Sequence, residues 1–178
     1  MENSELLNRL SLLSNGTPVN AALILLGKQE AVNRLMTDRA KISWKYVDES
    51  SGTTERSTFE TPLLNKLDNV LTKVGRFNVH LKEATLFRRN IKQYDDLALR
   101  ELLVNALAHR DWSIDLWIEI KQSPNEISFV NPGIFRADLL AAIENNERPP
   151  YLNKKMADIL QKIGLMEREG GGLRKVYK

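Results

Sequence analysis

The chain has 178 residues, 42% of them hydrophobic and 28% charged, which describes one ordinary globular domain or two small ones and excludes a disordered polyelectrolyte. It has no cysteine, so disulfides, thiolate metal sites and cysteine nucleophiles are excluded, and a formal net charge of +3 is too small for a polycation built throughout for nucleic acid. The longest apolar run, Ala21 to Gly27, falls far short of the ~20 residues of a membrane span, and the amino terminus lacks the basic segment of a signal peptide, which points to a cytoplasmic protein.

In chain order, Ser4 to Leu13 has helical apolar spacing, and Ser14-Asn15-Gly16-Thr17-Pro18 is a turn cluster. The continuous apolar run from Ala21 to Gly27 predicts a short buried strand, and Gln29 to Met36 a helix. From Ala40 to Val47, Ile42, Trp44 and Tyr46 alternate with Lys41, Ser43 and Lys45, the period of a strand with one buried and one wet face. The polar stretch Asp48 to Thr58 is the best loop and boundary candidate. Thr61-Pro62 predicts a helix start, with Thr61 as cap, for a pattern running from Leu63 to Val74 and stopping at Gly75. Phe77 to Ile91 reads as extended.

A fourth helix follows from Asp96 to Asp111, capped by Asp95 or Asp96, with Leu99, Leu102, Leu103, Ala106 and Leu107 on its apolar face. Strands over Asp115–Gln122 and Glu126–Val130, joined at Ser123-Pro124-Asn125, make a hairpin that Asn131-Pro132-Gly133 ends. Ala137–Glu144 and Tyr151–Ile163 read as helices, and the chain closes through Gly170-Gly171-Gly172. The sum is an α+β fold, with helices packed on one face of a mixed, largely antiparallel sheet. Residues 1–50 form a small amino-terminal α/β segment and residues 51–178 the main module.

At 100° per residue, Glu101, Asn105 and His109 share one edge of the Asp96–Asp111 helix, beside its apolar face. Such an edge is either solvated surface or a ligand site. No Ser-His-Asp arrangement stands out, and the two histidines, His80 and His109, show no zinc-ligand spacing. The last segment, Leu152 to Lys178, holds seven basic and three acidic residues, suited to phosphates of a nucleotide or of DNA.

Taken together, Glu101-Leu-Leu-Val-Asn105-Ala106, His109-Arg110-Asp111, Phe129-Val-Asn131-Pro132-Gly133-Ile-Phe135, Arg148-Pro-Pro and Glu169-Gly170-Gly171-Gly172-Leu173 closely resemble a family of bacterial and archaeal proteins. These are transcriptional regulators and RecG-related, ATP-dependent DNA helicase-like proteins. Their carboxyl-terminal module looks like the histidine-kinase-type (GHKL) ATPase fold of gyrase, MutL and sensor kinases. The segment Asn15-Gly-Thr-Pro18-Val-Asn20 to Gly27-Lys28 resembles the end of the AlbA-type, Schlafen-like DNA-binding domain that precedes it.

The resemblance implies ATP and Mg²⁺ as cofactors and assigns roles. Glu101 would orient or deprotonate the attacking water, and Asn105 would ligate magnesium through its amide oxygen, a neutral hard ligand beside a triphosphate. Gly170, Gly171 and Gly172 would cradle phosphates, and Arg110 would neutralise one. Asn131 and Gly133 occupy the place where the wider family carries Asp-x-Gly-x-Gly, whose aspartate recognises the adenine amine. An Asn offers an acceptor oxygen there, but also a competing donor. Both glycine and Asn-Pro-Gly motifs are equally ordinary in turns.

The reading is a transcriptional-regulator module with a divergent ATP site, capable at most of weak Mg-dependent hydrolysis. The alternative is a degenerate ATPase-like scaffold that binds DNA or dimerises, with the aromatics of the Trp44 and Trp117 strands as an interface. The chain does not read as a helicase motor by itself, since the Gly-x-x-x-x-Gly-Lys-Ser/Thr loop is not in its sequence.

Overall fold

A computed structural model describes residues 3–35, 40–78, 80–82, 90–133 and 151–166. The amino-terminal helix α1 (Asn3–Arg9) leads into a minimal hairpin, β1 (Leu13–Ser14) with β2 (Thr17–Pro18). Its two-residue turn is Asn15-Gly16, both at positive φ (51° and 76°), the conformation that matches the twist of the flanking strands and that Asn-Gly tolerates best.

The run expected to be a buried strand is instead helix α2 (Asn20–Leu26). Its buried residues, Ala21, Ala22, Ile24 and Leu25, follow a helical spacing. An unbroken apolar sequence hides the period, and an Ala/Leu-rich run is poor in the β-branched residues that favour a strand. Helix α3 (Gln29–Leu35) follows as expected.

Strand β3 (Lys41–Asp48) shows the predicted alternation, with Ile42, Trp44 and Tyr46 buried. The stretch read as a loop is its antiparallel partner, β4 (Thr53–Glu60), in register from Lys41 opposite Glu60 to Asp48 opposite Thr53. The turn between them is pinned by Asp48, whose carboxylate accepts from Ser50 and Ser51 and is held below the usual carboxylate range by those bonds. A Ser/Thr-rich strand at a sheet edge has little apolar signal to read, which is why composition alone suggested a loop. Position 50/51 therefore lies inside a turn between two paired strands.

Thr61 caps no helix. It is buried, and its hydroxyl donates to Gln29 Oε1 at 2.5 Å; after a cis Thr61-Pro62 bond the chain makes a 3₁₀ turn (Leu64–Lys66) before α4 (Leu67–Arg76), which runs on through Gly75. A short antiparallel pair, β5 (His80–Lys82) and β6 (Asn90–Lys92), precedes α5 (Asp96–His109). Strands β7 (Ile118–Gln122) and β8 (Ile127–Val130) form the expected hairpin, and α6 (Lys154–Lys162) is the last described helix. The helix read over Ala137–Glu144 and the triple glycine lie outside the described residues.

The main sheet has the order β4-β3-β7-β8, with β3 and β7 parallel and the outer pairs antiparallel. This is the mixed, largely antiparallel sheet expected. The parallel pair needs a crossover, and the chain between β3 and β7 supplies it through α4 and α5. One face buries Ile42, Trp44, Tyr46, Ile118 and Ile120 against apolar residues of α2, α4, α5 and α6. On the other face Arg56 and Lys121 are exposed.

Trp44 is fully buried, so it contributes to the core and not to an exposed interface; Trp117 is 43% exposed. Trp44 Nε1 donates to Gln122 Oε1 (3.0 Å), and Gln122 Nε2 donates to Val74 O (3.1 Å), tying β3, β7 and α4 through one buried amide. Gln122→Ala strands the indole N–H in the core, so a loss of about 2 kcal/mol is expected in urea unfolding. In the Trp44→Phe background the same substitution should cost less, since the stranded donor is gone.

Candidate functional site

Helix α5 is the structural centre of the predicted site. Asp95 caps it, accepting from the backbone N–H groups of Leu97 (2.9 Å) and Ala98 (3.0 Å). Ala98, Leu99, Leu103, Val104, Ala106, Leu107 and Ala108 are all buried, so the helix is enclosed on more than one side. Glu101, Asn105 and His109 occupy its half-buried edge. Asn105 Nδ2 donates to Glu101 Oε1 at 3.2 Å, the contact that i, i+4 spacing permits. This leaves the Asn105 amide oxygen, the atom suited to a hard cation, turned away from its partner.

The carboxyl end of α5 is where distant segments converge. Asn131, just past β8, donates through Nδ2 to Ala106 O at 2.9 Å, and the Asp111 N–H donates to Pro132 O at 2.9 Å. Gly133 has φ +130°, and a Cβ there would lie 3.1 Å from the Asp111 Cβ, so only glycine lets the turn dock this closely. Asn131 Oδ1 is buried and has no hydrogen-bond partner among the described residues. The orientation of the amide is settled by chemistry, because the reverse one would set oxygen against oxygen at Ala106.

Arg110 is fully buried. Its guanidinium donates to the carbonyls of Asp111, Ile114 and Leu116 and lies 4.2 Å from the Trp112 ring. The structure thus places Arg110 inside the loop after α5, ordering it, and not at an open phosphate position. Asp111 completes the loop by accepting from the Ser113 N–H (2.9 Å) and hydroxyl (2.6 Å). Gly170, Gly171 and Gly172 lie outside the described residues, as does Arg148. Among the described residues no group of three His, Cys, Asp or Glu is arranged to hold a metal ion.

Asn153 is the residue that sequence reasoning missed. It precedes α6, where an N-cap is expected, yet its side chain caps the end of a different helix: Nδ2 donates to Ala108 O (3.1 Å) and Arg110 O (2.5 Å), and its N–H also donates to Ala108 O (3.1 Å). Nothing in local spacing distinguishes these two uses of an Asn before a helix. His109 packs against Tyr151 with ring centroids 5.0 Å apart, and burial lowers its pKa from the ordinary 6.5.

Neither a protein-family model nor a curated protein matches the chain. Among solved structures, the crystal structure of the DIP2311 protein from Corynebacterium diphtheriae is similar, with a TM-score of 0.78 at 22% identity over 99% of this chain. The match spans 36% of that protein. At this identity the likeness establishes the α+β fold. No helix among the described residues is long and apolar enough to cross a membrane.

Two outcomes follow from this end of α5. Asn153→Ala removes donors from two buried carbonyls and should cost about 2 kcal/mol in chemical denaturation; Asn153→Asp, which sets carboxylate oxygen against those carbonyls, should cost more. Because the folded state holds the His109 ring at a lowered pKa, it binds fewer protons there than the unfolded chain. The His109 contribution is therefore fully present above about pH 6.5 and is lost as pH falls through that value towards the folded pKa. A Tm that declines on acidification from pH 7 to 5.5, with the decline flattened in His109→Gln, is the expected result.

Proposed function

We propose that the chain is the nucleotide-responsive module of a transcriptional regulator, binding ATP with Mg²⁺ at a divergent GHKL-type site along α5 and coupling that binding to DNA or a protein partner. One observation carries the reading: the Asn131 amide. Its NH₂ donates to Ala106 O, which fixes the amide and leaves a buried acceptor oxygen without a partner among the described residues. A bare buried acceptor costs about 1–3 kcal/mol, which a donor from a ligand would recover. The exocyclic amine of adenine is such a donor; guanine presents an acceptor at the same position and would be repelled.

The remaining chemistry follows from the other residues. Asn105 offers its amide oxygen to Mg²⁺ without adding charge beside a triphosphate. The Glu101 carboxylate accepts a hydrogen bond from the Asn105 amide, and in this reading it orients a water and accepts its proton. The resemblance assigns Gly170 to Gly172 to the phosphates. Burial of Arg110 leaves that task to them and to the basic residues nearby.

Thermal shift with Mg-ATP tests this. Millimolar Mg-ATP at about ten times Kd should add roughly 1.4 kcal/mol of stability, and GTP should add little. Asn105→Ala should abolish the magnesium-dependent part, and Asn131→Leu should erase the preference for ATP over GTP. Glu101→Gln should retain binding and lose any hydrolysis. If Mg-ATP gives no shift, or the Asn105→Ala variant shifts equally, the fold serves as a scaffold for DNA binding or dimerisation instead.

A further inference from the structure

Away from the Glu101–Asn105 edge, a cavity of about 640 Å³ opens between the amino-terminal hairpin, α2 and the first turn of α6. Its volume is that of a small-molecule site. We propose that it is a second binding site, taking a planar apolar ring that bears one anionic group.

The floor is apolar, with Val19, Ile24 and Met156 all buried. Two aromatic rings, Trp112 and Tyr151, form part of the wall, and each is held from behind by the end of α5: Arg110 lies 4.2 Å from the Trp112 ring, and His109 lies 5.0 Å from the Tyr151 ring. Rings fixed in this way stack a flat ligand at little entropic cost. The Trp112 indole also carries a buried N–H without a hydrogen-bond partner among the described residues.

The charge of the lining selects the other end of the ligand. Lys154 and Lys155 are exposed at the rim, and no Asp or Glu is among the described lining residues. Both lysines sit in the first turn of α6, whose amino end has no side-chain cap because Asn153 is turned to the carbonyls of Ala108 and Arg110. Two cations and the positive end of a helix dipole favour an anion at that rim. Ser14, Thr17 and Asn20 add neutral polar groups on the opposite side.

Titration calorimetry with 1-naphthyl phosphate, 1-naphthol and inorganic phosphate tests the proposal. The naphthyl phosphate should bind saturably with one-to-one stoichiometry, about tenfold or more tighter than either half alone. Lys154→Glu with Lys155→Glu should weaken it about tenfold and leave 1-naphthol unchanged. Thr17→Phe, at an exposed position whose larger side chain closes the mouth without touching the core, should block both ring compounds. Asn105→Ala, on the Glu101 edge of α5 and absent from the cavity lining, should leave naphthyl phosphate binding intact, which separates this site from the nucleotide reading. Absence of saturation at millimolar naphthyl phosphate, or affinity indifferent to both the charge reversals and Thr17→Phe, would overturn the proposal.

Discussion

The carboxyl end of α5 is buried, and burial there imposes a demand that shapes the rest of the molecule. A helix end leaves carbonyls without intrahelical donors, and in the interior water cannot serve them. Ala106 O receives the Asn131 amide in addition to the Arg110 N–H, while Ala108 and Arg110 receive Asn153. The donors come from the turn after β8 and from the approach to α6, so satisfying one helix end brings three separate stretches of chain together. Arg110 then organises the loop from Asp111 to Leu116 by donating to its carbonyls, which delivers the chain to β7.

This arrangement explains why the candidate nucleotide edge and the cavity beside α6 are neighbours yet separate. Both depend on the same helix end. Along α5, Glu101 and Asn105 face outward from a helix whose other sides are enclosed, and Asn131 is fixed by its bond to Ala106 O with an acceptor left over. Beyond that end, Arg110 and His109 back the two aromatic rings of the cavity.

Much of this was legible in the residues because the signals were local. The alternation of Ile42, Trp44 and Tyr46 reported a half-buried strand, and the Asp95 cap with the Leu99–Leu107 spacing reported α5. Local signals failed where tertiary context outweighed them. The apolar run at Ala21–Leu26 read as a strand because an unbroken apolar sequence shows no period, although the structure makes it α2, and the Ser/Thr-rich stretch at 53–60 became β4 because pairing with β3 supplies what its side chains do not. Thr61 went to a buried bond with Gln29 rather than to a helix cap.

The sequence by itself determined the α+β class, the position of α5, the β7–β8 hairpin and the pairing of Glu101 with Asn105, since each rests on spacing within a few residues. Only the tertiary structure decided that Arg110 is interior, that Asn153 caps a helix other than its own, and that Asn131 keeps a bare oxygen. The last two outcomes turn on which donor reaches which carbonyl across 25 to 45 positions of chain. Hydrogen bonds at such separations are fixed by packing, and no residue pattern along the chain encodes them directly.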